Sequence, residues 1–412
     1  MPPRSGSMNC MDAVWIRHYT AASALGLGRE ATRAALEEGR CALAPCHFES
    51  AQLSTWIGEV AGVDAVRLPA AHTAYNCRNN RLAQLGLSQD GFAELARERI
   101  AHWGPARVGV FMGTSTSGVL ETEIAYRARD ACAGRLPQGF DYRRAHNAFA
   151  ITDYVRSVLG ITGPAVTVCT ACSSSAKVFA AAARMLAADL IDAAVVGGVD
   201  SLCLTTLYGF HSLQLTAPGP CRPFDRGREG LSISEAAAFA WLERPRGEPA
   251  GEDILLLGTG ESSDAHHMSS PHPEGAGARR AMQAALQAAQ LGADDIDYIN
   301  LHGTGTPAND AAEARAVQAL FGSALPCSST KGASGHALGA AGALEAIICA
   351  LSLQAGLMPG GLNTRELDTS LQVHYLTSNR RAPLARVLSN SFGFGGANCA
   401  LLFARTDGAR VG

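Results

Sequence analysis

The strongest constraint on the fold is an order of segments that occurs twice in the chain. A short β-branched run at residues 165–169 is followed by an alanine-rich stretch at 172–190, and an apolar run at 298–301 is followed later by another alanine-rich stretch at 335–353. The short runs predict buried strands and the alanine-rich stretches predict helices. Strands alternating with helices predict an α/β fold with partly parallel sheets. Because the order repeats, we expect two similar halves.

Length and composition divide the chain further. Its 412 residues correspond to about two to three domain-sized units. A segment rich in Pro, Gly and Glu at 244–252 predicts a boundary. We therefore predict an N-terminal half at 12–250 and a C-terminal half at 251–404, with a flexible polar tail at 1–11 and another tail at 405–412.

Smaller elements follow from the same patterns of apolar spacing and glycine. Apolar runs predict strands, and runs with a polar face predict helices. The predictions are a strand at 12–19, a helix at 28–39, a loop and one helix at 82–103, a strand at 107–112, and a strand at 193–196 that ends at Gly197 and Gly198.

Charge and hydropathy exclude several classes of function. The net charge is −3 and the chain has no long basic run, so a nucleic-acid partner is not expected. The apolar stretch at 340–358 contains Glu345 and several glycines, which predicts a buried helix rather than a membrane span. No secretory signal is visible, so we expect reduced thiols and a cytoplasmic protein.

The segment CTACSSS at 169–175 places Cys172 between a predicted strand and a predicted helix. Unpaired amides and the dipole at a helix N-terminus favour a thiolate, which predicts a nucleophile. Three alternatives remain open. Cys172 could be a buried core cysteine, it could form a redox pair with Cys169 through the C-x-x-C spacing, or it could bind zinc, although no second close pair supplies further ligands.

Two histidines also lie where predicted strands and helices meet. His302 follows the apolar run at 298–301, and His336 begins the second alanine-rich helix. The helix dipole would keep the His336 imidazole neutral. A carboxylate at Glu345 inside an apolar helix needs a cation, and Lys331 is the nearest one in sequence; a purely structural ion pair would explain both residues equally.

The segment NSFGFGGAN at 390–398 has three glycines around two aromatic residues. Glycine permits positive φ and leaves backbone N–H groups accessible, so the loop predicts half of an oxyanion hole. A simple turn is the alternative. The combination of this loop with one cysteine, two histidines and a lysine indicates a catalytic site more strongly than any of these features alone. The residues are Cys172, His302, His336 and Lys331.

These motifs resemble the β-ketoacyl-acyl-carrier-protein synthases of the elongating type, which are condensing enzymes with a thiolase fold. The similarity covers most of residues 108–404. It implies an α/β thiolase fold, a duplicated αβαβα layered architecture in two similar halves. The motifs are TACSSS at 170–175, CRPFDRGREG at 221–230, ESSDAHHM at 261–268, LHGTGTPAND at 301–310, KGASGHALGAAGALEA at 331–346 and NSFGFGGAN at 390–398.

The resemblance implies a catalytic cycle that begins at Cys172. The thiolate takes an acyl group from an acyl carrier protein, and the backbone N–H groups of Cys172 and Phe394 stabilise the oxyanion. Phe394 is a gating aromatic, and Gly393 and Gly395 belong to the same gate. Phe392 lies beside it as a substrate-binding residue.

The second half of the implied cycle uses malonyl on another carrier protein. His302 and His336 hydrogen-bond the thioester carbonyl as decarboxylation forms an enolate, which attacks the acyl group in a Claisen condensation. Lys331 and Glu345 fix His336 and the local charge. No metal and no separate cofactor is implied, because the phosphopantetheine arm arrives on the carrier protein.

The resemblance also implies contacts to substrate and to a second subunit. Thr304 and Thr306 contact the pantetheine arm. Thr116 lies near the acyl pocket that is completed across a homodimer; a heterodimer with a sister subunit is the alternative. A small polar residue at Thr116 suits an unusual acyl chain, which indicates a specialised polyene or polyketide pathway of the aryl-polyene type.

Two rival functions use the same fold. One is a thiolase-like acyltransferase that does not decarboxylate malonyl, against which the pair of histidines argues. The other is a chain-length partner subunit that shapes a pocket and performs no chemistry. Such subunits normally lack the nucleophile, so Cys172 argues for the enzyme.

Overall fold

The computed structural model describes residues 11–245 and 253–406. The predicted tail at 1–11 lies outside these residues except for Met11, as do 246–252 of the predicted boundary segment. The predicted tail at 405–412 lies outside them except for Arg405 and Thr406, and Arg405 is the last residue of a strand.

The strands of the described chain include two sets of long strands and several short pairs. In chain order they are β1 Val14–Ser23, β2 Gly26–Leu27, β3 Ala44–Pro45, β4 Trp56–Gly58, β5 Val108–Gly113, β6 Ala165–Val168, β7 Ala193–Asp200, β8 Ile233–Ser234, β9 Ala236–Glu243, β10 Ile254–Ser263, β11 Tyr298–Asn300, β12 Pro326–Ser328, β13 Leu357–Met358, β14 His374–Tyr375, β15 Arg380–Arg381, β16 Arg386–Gly393 and β17 Ala397–Arg405.

The helices lie between these strands. They are α1 Gly28–Glu37, α2 Arg78–Leu87, α3 Phe92–Trp103, α4 Val119–Arg127, α5 Phe149–Leu159, α6 Ser174–Ala187, α7 Leu204–Ser212, α8 Ala276–Ala288, α9 Pro307–Phe321, α10 Lys331–Ser334 and α11 Ala341–Ala355.

The two halves have the same sheet topology. The strand order is β6-β5-β7-β9-β1 in the first half and β12-β11-β16-β17-β10 in the second, where β14 extends the edge. In each half the first two pairs are parallel and the next two are antiparallel. The strands β1 and β10 pair antiparallel and join the two sheets. The repeated order of segments in the sequence therefore does reflect a structural duplication.

Helices α6 and α11 form the middle layer of the molecule. Each contacts strands of both halves: α6 packs on β5 and β7 and on β10 and β17, whereas α11 packs on β16 and β17 and on β1 and β9. Helices α2, α3 and α5 cover the outer face of the first sheet, and α8 covers that of the second with α9 packed against it. The predicted αβαβα layering is confirmed.

The glycines of β7 do not end the strand as predicted. The strand continues through Gly197 and Gly198 to Asp200. A Cβ at Gly197 would lie 2.4 Å from the Ala238 carbonyl oxygen, and one at Gly198 would lie 2.4 Å from Ser175 Cβ. These glycines let the neighbouring strand and helix approach closely, so the prediction from glycine as a strand breaker was wrong.

The prediction of one helix within residues 82–103 was also wrong. Helix α2 already begins at Arg78, and α3 follows it after a short turn. The side chain of Cys77 caps α2 by accepting a hydrogen bond from the Asn80 amide. Cysteine is not one of the usual N-cap residues, which is why the sequence did not signal this helix start.

The segment Leu338–Ala355 is long and apolar enough to cross a membrane, with a mean hydropathy of 1.6, but 89% of it is buried inside the protein. It contains α11, the central helix of the middle layer. The predicted buried helix is therefore a core element, as its glycines and Glu345 indicated.

Candidate active site

The duplication brings Cys172 and His336 to corresponding places. In chain order β6 and β12 are each the third of the five sheet strands that the two halves share, and Cys172 follows β6 as His336 follows β12. The two connections meet between the sheets, where Cys172 Sγ lies 3.0 Å from His336 Nε2. Both residues are buried. A nucleophile and a base within hydrogen-bonding distance are thus supplied by different halves of the chain.

The Cys172 thiol lies in a tight turn just before α6. Ala171 has φ +51°, and the helix begins at Ser174. Burial raises the pKa of the Cys172 thiol to about 11, although the Lys331 charge and a hydrogen bond from the Phe394 amide act in the opposite direction. The expectation of a resting thiolate was therefore wrong. Desolvation outweighs the helix terminus, and the thiol ionises only when its proton has an acceptor.

Two backbone amides face the sulfur. The N–H groups of Phe394 and of Cys172 itself both stabilise negative charge at Sγ. Gly393 allows this approach, because a Cβ there would lie 2.6 Å from the Thr170 carbonyl oxygen. The Gly395 amide is already used, since it donates to the Met268 carbonyl oxygen at 2.7 Å. Two amides directed at the nucleophile are the kind of donors that an oxyanion hole uses.

His302 completes the arrangement. Its ring lies edge-on to that of His336, with centroids 5.3 Å apart and an interplanar angle of 84°. Burial, the Lys331 charge and His336 hold the pKa of His302 well below its usual value. Burial and the Lys331 charge do the same to the pKa of His336. Both rings are neutral at physiological pH, so each can donate one hydrogen bond.

His336 is neutral for a different reason from the one predicted. It does not begin α11, which starts at Ala341 after a short 3₁₀ turn at Leu338–Ala340. The helix dipole therefore acts on other residues. The Nδ1 atom of His336 is buried and has no hydrogen-bond partner among the described residues. Desolvation and the positive charge of Lys331 keep the ring neutral.

The predicted pair of Lys331 and Glu345 is present and fully buried. Lys331 Nζ donates to Glu345 Oε1. It also donates to the His302 carbonyl oxygen at 2.6 Å and lies 3.4 Å from His302 Nδ1. The lysine therefore positions His302 rather than His336, which corrects the role implied by the resemblance. Burial raises the pKa of Glu345 to about 7, against the effect of Lys331.

A narrow cavity connects the sulfur to the surface. It has a volume of about 230 Å³ and is lined near its base by Cys172, His302, His336 and Phe392. Thr304 and Thr306 line its wall, with their hydroxyl oxygens 2.9 Å apart. Residues 269–271 and 307–309 form its mouth. A larger depression of about 380 Å³ beside Arg222 and Arg365 contains none of the reactive residues, so we assign the chemistry to the narrower cavity.

The comparisons with known proteins match this geometry. Residues 81–246 match the model of the beta-ketoacyl synthase N-terminal domain, and residues 255–365 match that of its C-terminal domain. Nodulation protein E from Rhizobium meliloti is 36% identical over 305 residues, which cover 72% of this chain and 75% of that protein.

The chain belongs to the beta-ketoacyl synthase family.

Further similarities extend over almost the whole synthase. The 3-oxoacyl-[acyl-carrier-protein] synthase 2 of Vibrio harveyi is 30% identical over 406 residues, 93% of this chain and 96% of that one. The structure of the ketosynthase ApeO in complex with its chain length factor ApeC from Xenorhabdus doucetiae matches with a TM-score of 0.87 and 36% identity, covering 96% of this chain and 98% of that chain. The synthase is thus an acyltransferase of the condensing class with the thiolase fold.

Glu313 anchors His302, a role that the sequence did not reveal. Its carboxylate accepts hydrogen bonds from the His302 amide at 2.8 Å and the Gly303 amide at 2.7 Å. Asn390 donates to it at 3.0 Å from the neighbouring strand. The only available signal was an acidic residue on the helix that follows the His302 loop. Burial raises the pKa of Glu313 to about 7.

We predict that Glu313→Gln changes the pH dependence of stability. A carboxyl whose pKa is raised on folding stabilises the protein fully below its unfolded pKa, near 4.5, and this stability is lost as the pH rises through about 7. The free energy of unfolding of the variant relative to the wild type should therefore increase by up to about 3 kcal/mol between pH 5 and 7.5. Urea unfolding at several pH values measures this. The exposed Glu98→Gln serves as the control, and parallel curves for Glu313→Gln and wild type would contradict the assignment.

Thr116 does not line the cavity within this chain. Its hydroxyl donates to Asp200 Oδ1 at 2.8 Å, and the residue is buried. Its contribution to an acyl pocket across a dimer therefore remains a prediction.

Cys169 has a different environment from Cys172. Cys169 is exposed and donates to the Thr114 carbonyl oxygen at 2.9 Å, whereas Cys172 is buried against His336. Both thiols are free. The geometry therefore favours separate roles for the two sulfurs over the redox pair that the C-x-x-C spacing left open.

The possible ligand atoms of three site residues lie close together. Those of Cys172, His302 and His336 lie within 4.8 Å of one another. Lys331 Nζ lies 3.4 Å from His302 Nδ1 and is paired with Glu345. The absence of a metal from this site stays a prediction.

Proposed function

We propose that this synthase extends an acyl chain held on Cys172 by decarboxylative condensation with malonyl on an acyl carrier protein. The observation that carries the proposal is the contact between Cys172 Sγ and His336 Nε2, with His302 beside it at the base of one cavity. Reactions of this kind need a nucleophile, an oxyanion hole and two neutral hydrogen-bond donors in one water-poor site.

The first step loads the acyl group. Cys172 sulfur attacks the thioester carbonyl of the acyl carrier, and the Cys172 and Phe394 amides hold the oxyanion. The carbon–sulfur bond to the pantetheine breaks, and its thiolate takes up the proton that Cys172 has lost. The threonine pair at Thr304 and Thr306, with its hydroxyls lining the cavity, supports a role in binding the pantetheine arm.

The second step forms the carbon–carbon bond. Malonyl thioester loses carbon dioxide, and the electron pair of that broken bond forms an enolate whose oxygen accepts hydrogen bonds from His302 and His336. The enolate carbon then attacks the acyl carbonyl on Cys172, and the Cys172 sulfur leaves as a thiolate that takes up a proton from water. The loss of carbon dioxide drives the sequence, and we propose that no metal, nucleotide or separate cofactor takes part.

We propose further that the synthase serves a specialised pathway of the aryl-polyene or polyketide type, in the cytoplasm, as one subunit of a dimer. The similarity to ApeO, which was solved with a chain length factor, supports a heterodimer over the homodimer expected from the sequence. Measuring the mass of the complex for the chain alone and for the chain co-expressed with a candidate partner subunit separates the two assemblies.

Intact-mass analysis tests the activity and the chain preference together. The enzyme is incubated with carrier proteins bearing saturated or conjugated unsaturated acyl chains, and malonyl carrier labelled at the free carboxyl is then added. We expect an acyl adduct on Cys172, release of labelled carbon dioxide and faster loading of the conjugated chains. Acylation without carbon dioxide would favour the thiolase-like alternative, and a clear preference for saturated chains would contradict the specialised pathway.

A further inference from the structure

A third buried carboxylate, that of Asp200, acts on the reactive thiol through its charge and takes no part in the mechanism above. Asp200 is the last residue of β7 and is fully buried. No arginine or lysine in the described parts of the chain forms an ion pair with it. Burying an unpaired carboxylate is costly unless hydrogen bonds compensate for the lost water, so its surroundings require an explanation.

Neutral donors from one turn surround Asp200. The hydroxyls of Thr114, Ser115 and Thr116 donate to it at 2.6, 2.7 and 2.8 Å. The amides of Ser115 and Thr116 donate at 2.8 and 2.9 Å. These three residues follow β5 in the first half of the chain. The carboxylate therefore fixes this turn with no cation present.

The remaining donor comes from the second half of the chain. The Gly339 amide donates to Asp200 Oδ2 at 2.5 Å and lies 3.1 Å from the Ser115 hydroxyl oxygen. Only glycine fits at this position, because a Cβ would lie 2.6 Å from Asp200 Oδ2. Gly339 stands three residues after His336 in the same short connection. Asp200 therefore ties the segment that carries His336 to the half that carries Cys172.

We propose that Asp200 is a positioning residue for the condensation: its carboxylate fastens the His336 segment to the turn after β5 and so holds the His336 ring at Cys172. The role in condensation rests on the proposed function, whereas the hydrogen bonds of Asp200 do not depend on it. A second link runs in parallel, where the Ala343 amide donates to Ser175 Oγ at 2.8 Å. One link holds the middle of the 3₁₀ turn at Gly339, and the other holds the first turn of α11 at Ala343.

The charge of Asp200 adds a measurable signature. His336 and His302 lie beside the Cys172 sulfur, and the charges of Lys331 and, from β7, Asp200 act on it. The negative charge of Asp200 raises the pKa of Cys172, in the direction opposite to Lys331. Removing that charge should shift the ionisation of the thiol, whereas a loosened structure would increase its accessibility equally at all pH values.

Asp200→Asn tests the proposal, because asparagine has the same shape but no charge and places an amide N–H₂ where one oxygen accepts. We expect kcat to fall about 10- to 100-fold while KM changes little, since displacing a catalytic group by a fraction of an ångström has effects of this size. The rate of iodoacetamide alkylation of Cys172, followed by peptide mass from pH 6.5 to 10, should rise at lower pH than in the wild type. This alkylation does not require synthase activity, so it remains informative if the proposed function fails.

Asp297→Asn is the matched control. Asp297 also accepts two backbone amides, from Ala385 and Arg386, but it lies at the opposite end of β11 from His302. Three results would each overturn the proposal. The kcat of Asp200→Asn could stay within twofold of wild type, Asp297→Asn could show the same loss of kcat, or the alkylation profile of Asp200→Asn could be unshifted. If Asp200→Asn does not fold, Ser115→Ala removes only the hydroxyl that bridges Asp200 and Gly339. That variant should lose several-fold in kcat, and wild-type kcat would overturn the proposal as well.

Discussion

Replacement of Cys172 by alanine is expected to lower the rate of condensation by about 10⁴-fold or more, because loss of a nucleophile removes the covalent pathway entirely. The side chain is buried between His336 and two backbone amides, and no other described thiol lines the cavity. Intact-mass analysis should show no acyl adduct on the variant after incubation with acyl carrier protein.

Cys169→Ala is the matched control for this prediction. Its sulfur is three residues away but points to the Thr114 carbonyl oxygen instead of the cavity. We expect the acyl adduct and the rate of this variant to stay within about twofold of wild type, as for a substitution outside the reacting groups. Equal losses in the two variants would indicate a dithiol mechanism and would contradict the assignment of Cys172 as the sole nucleophile.

Replacement of Lys331 by methionine is expected to destabilise the protein by about 3–5 kcal/mol, because it leaves Glu345 buried without its cation. The pH dependence of the rate should change as well. The Lys331 charge lowers the pKa of His302 and of His336, so its removal raises both pKa values and protonates the rings at a higher pH. The acid limb of the pH–rate profile should therefore move to higher pH. Urea unfolding and rates from pH 5.5 to 8.5 measure the two effects.

The double variant Lys331→Met with Glu345→Gln separates stability from chemistry. Removing both partners of a buried pair is far less costly than removing one, so most of the stability should return. The shift of the acid limb should remain, because it depends on the missing positive charge. A profile that returns to that of the wild type in the double variant would show that Lys331 acts on the histidines only through the fold.

The positions of the candidate residues at strand ends could be predicted from the sequence, because strand ends are local features. Cys172 and His302 follow short apolar runs, and in an α/β sheet such positions point to a common edge. The division into two similar halves was also predictable, because the order of strand and helix segments repeats along the sequence. The family motifs then added the roles that spacing alone could not supply.

The failures have a shared physical cause, which is that contacts between the halves do not appear in local patterns. Burial reverses the expected ionisation of Cys172, and the extent of burial depends on residues far along the chain. The connection after His336 forms a 3₁₀ turn before α11, and there the Gly339 amide donates to Asp200, a residue of the first half. Glu313 and Asp200 both looked like ordinary acidic residues, since their donors come from remote amides and hydroxyls.

The placement of the reacting groups along the chain has a consequence for synthesis in the cell. The nucleophile is translated early, whereas the Phe394 amide lies just before β17, the last strand described. A product that ends before residue 302 would carry the sulfur and its own amide, but neither imidazole and no Phe394 amide. The complete set of reacting groups therefore comes together only after Phe394 has been translated and the two halves have folded against each other.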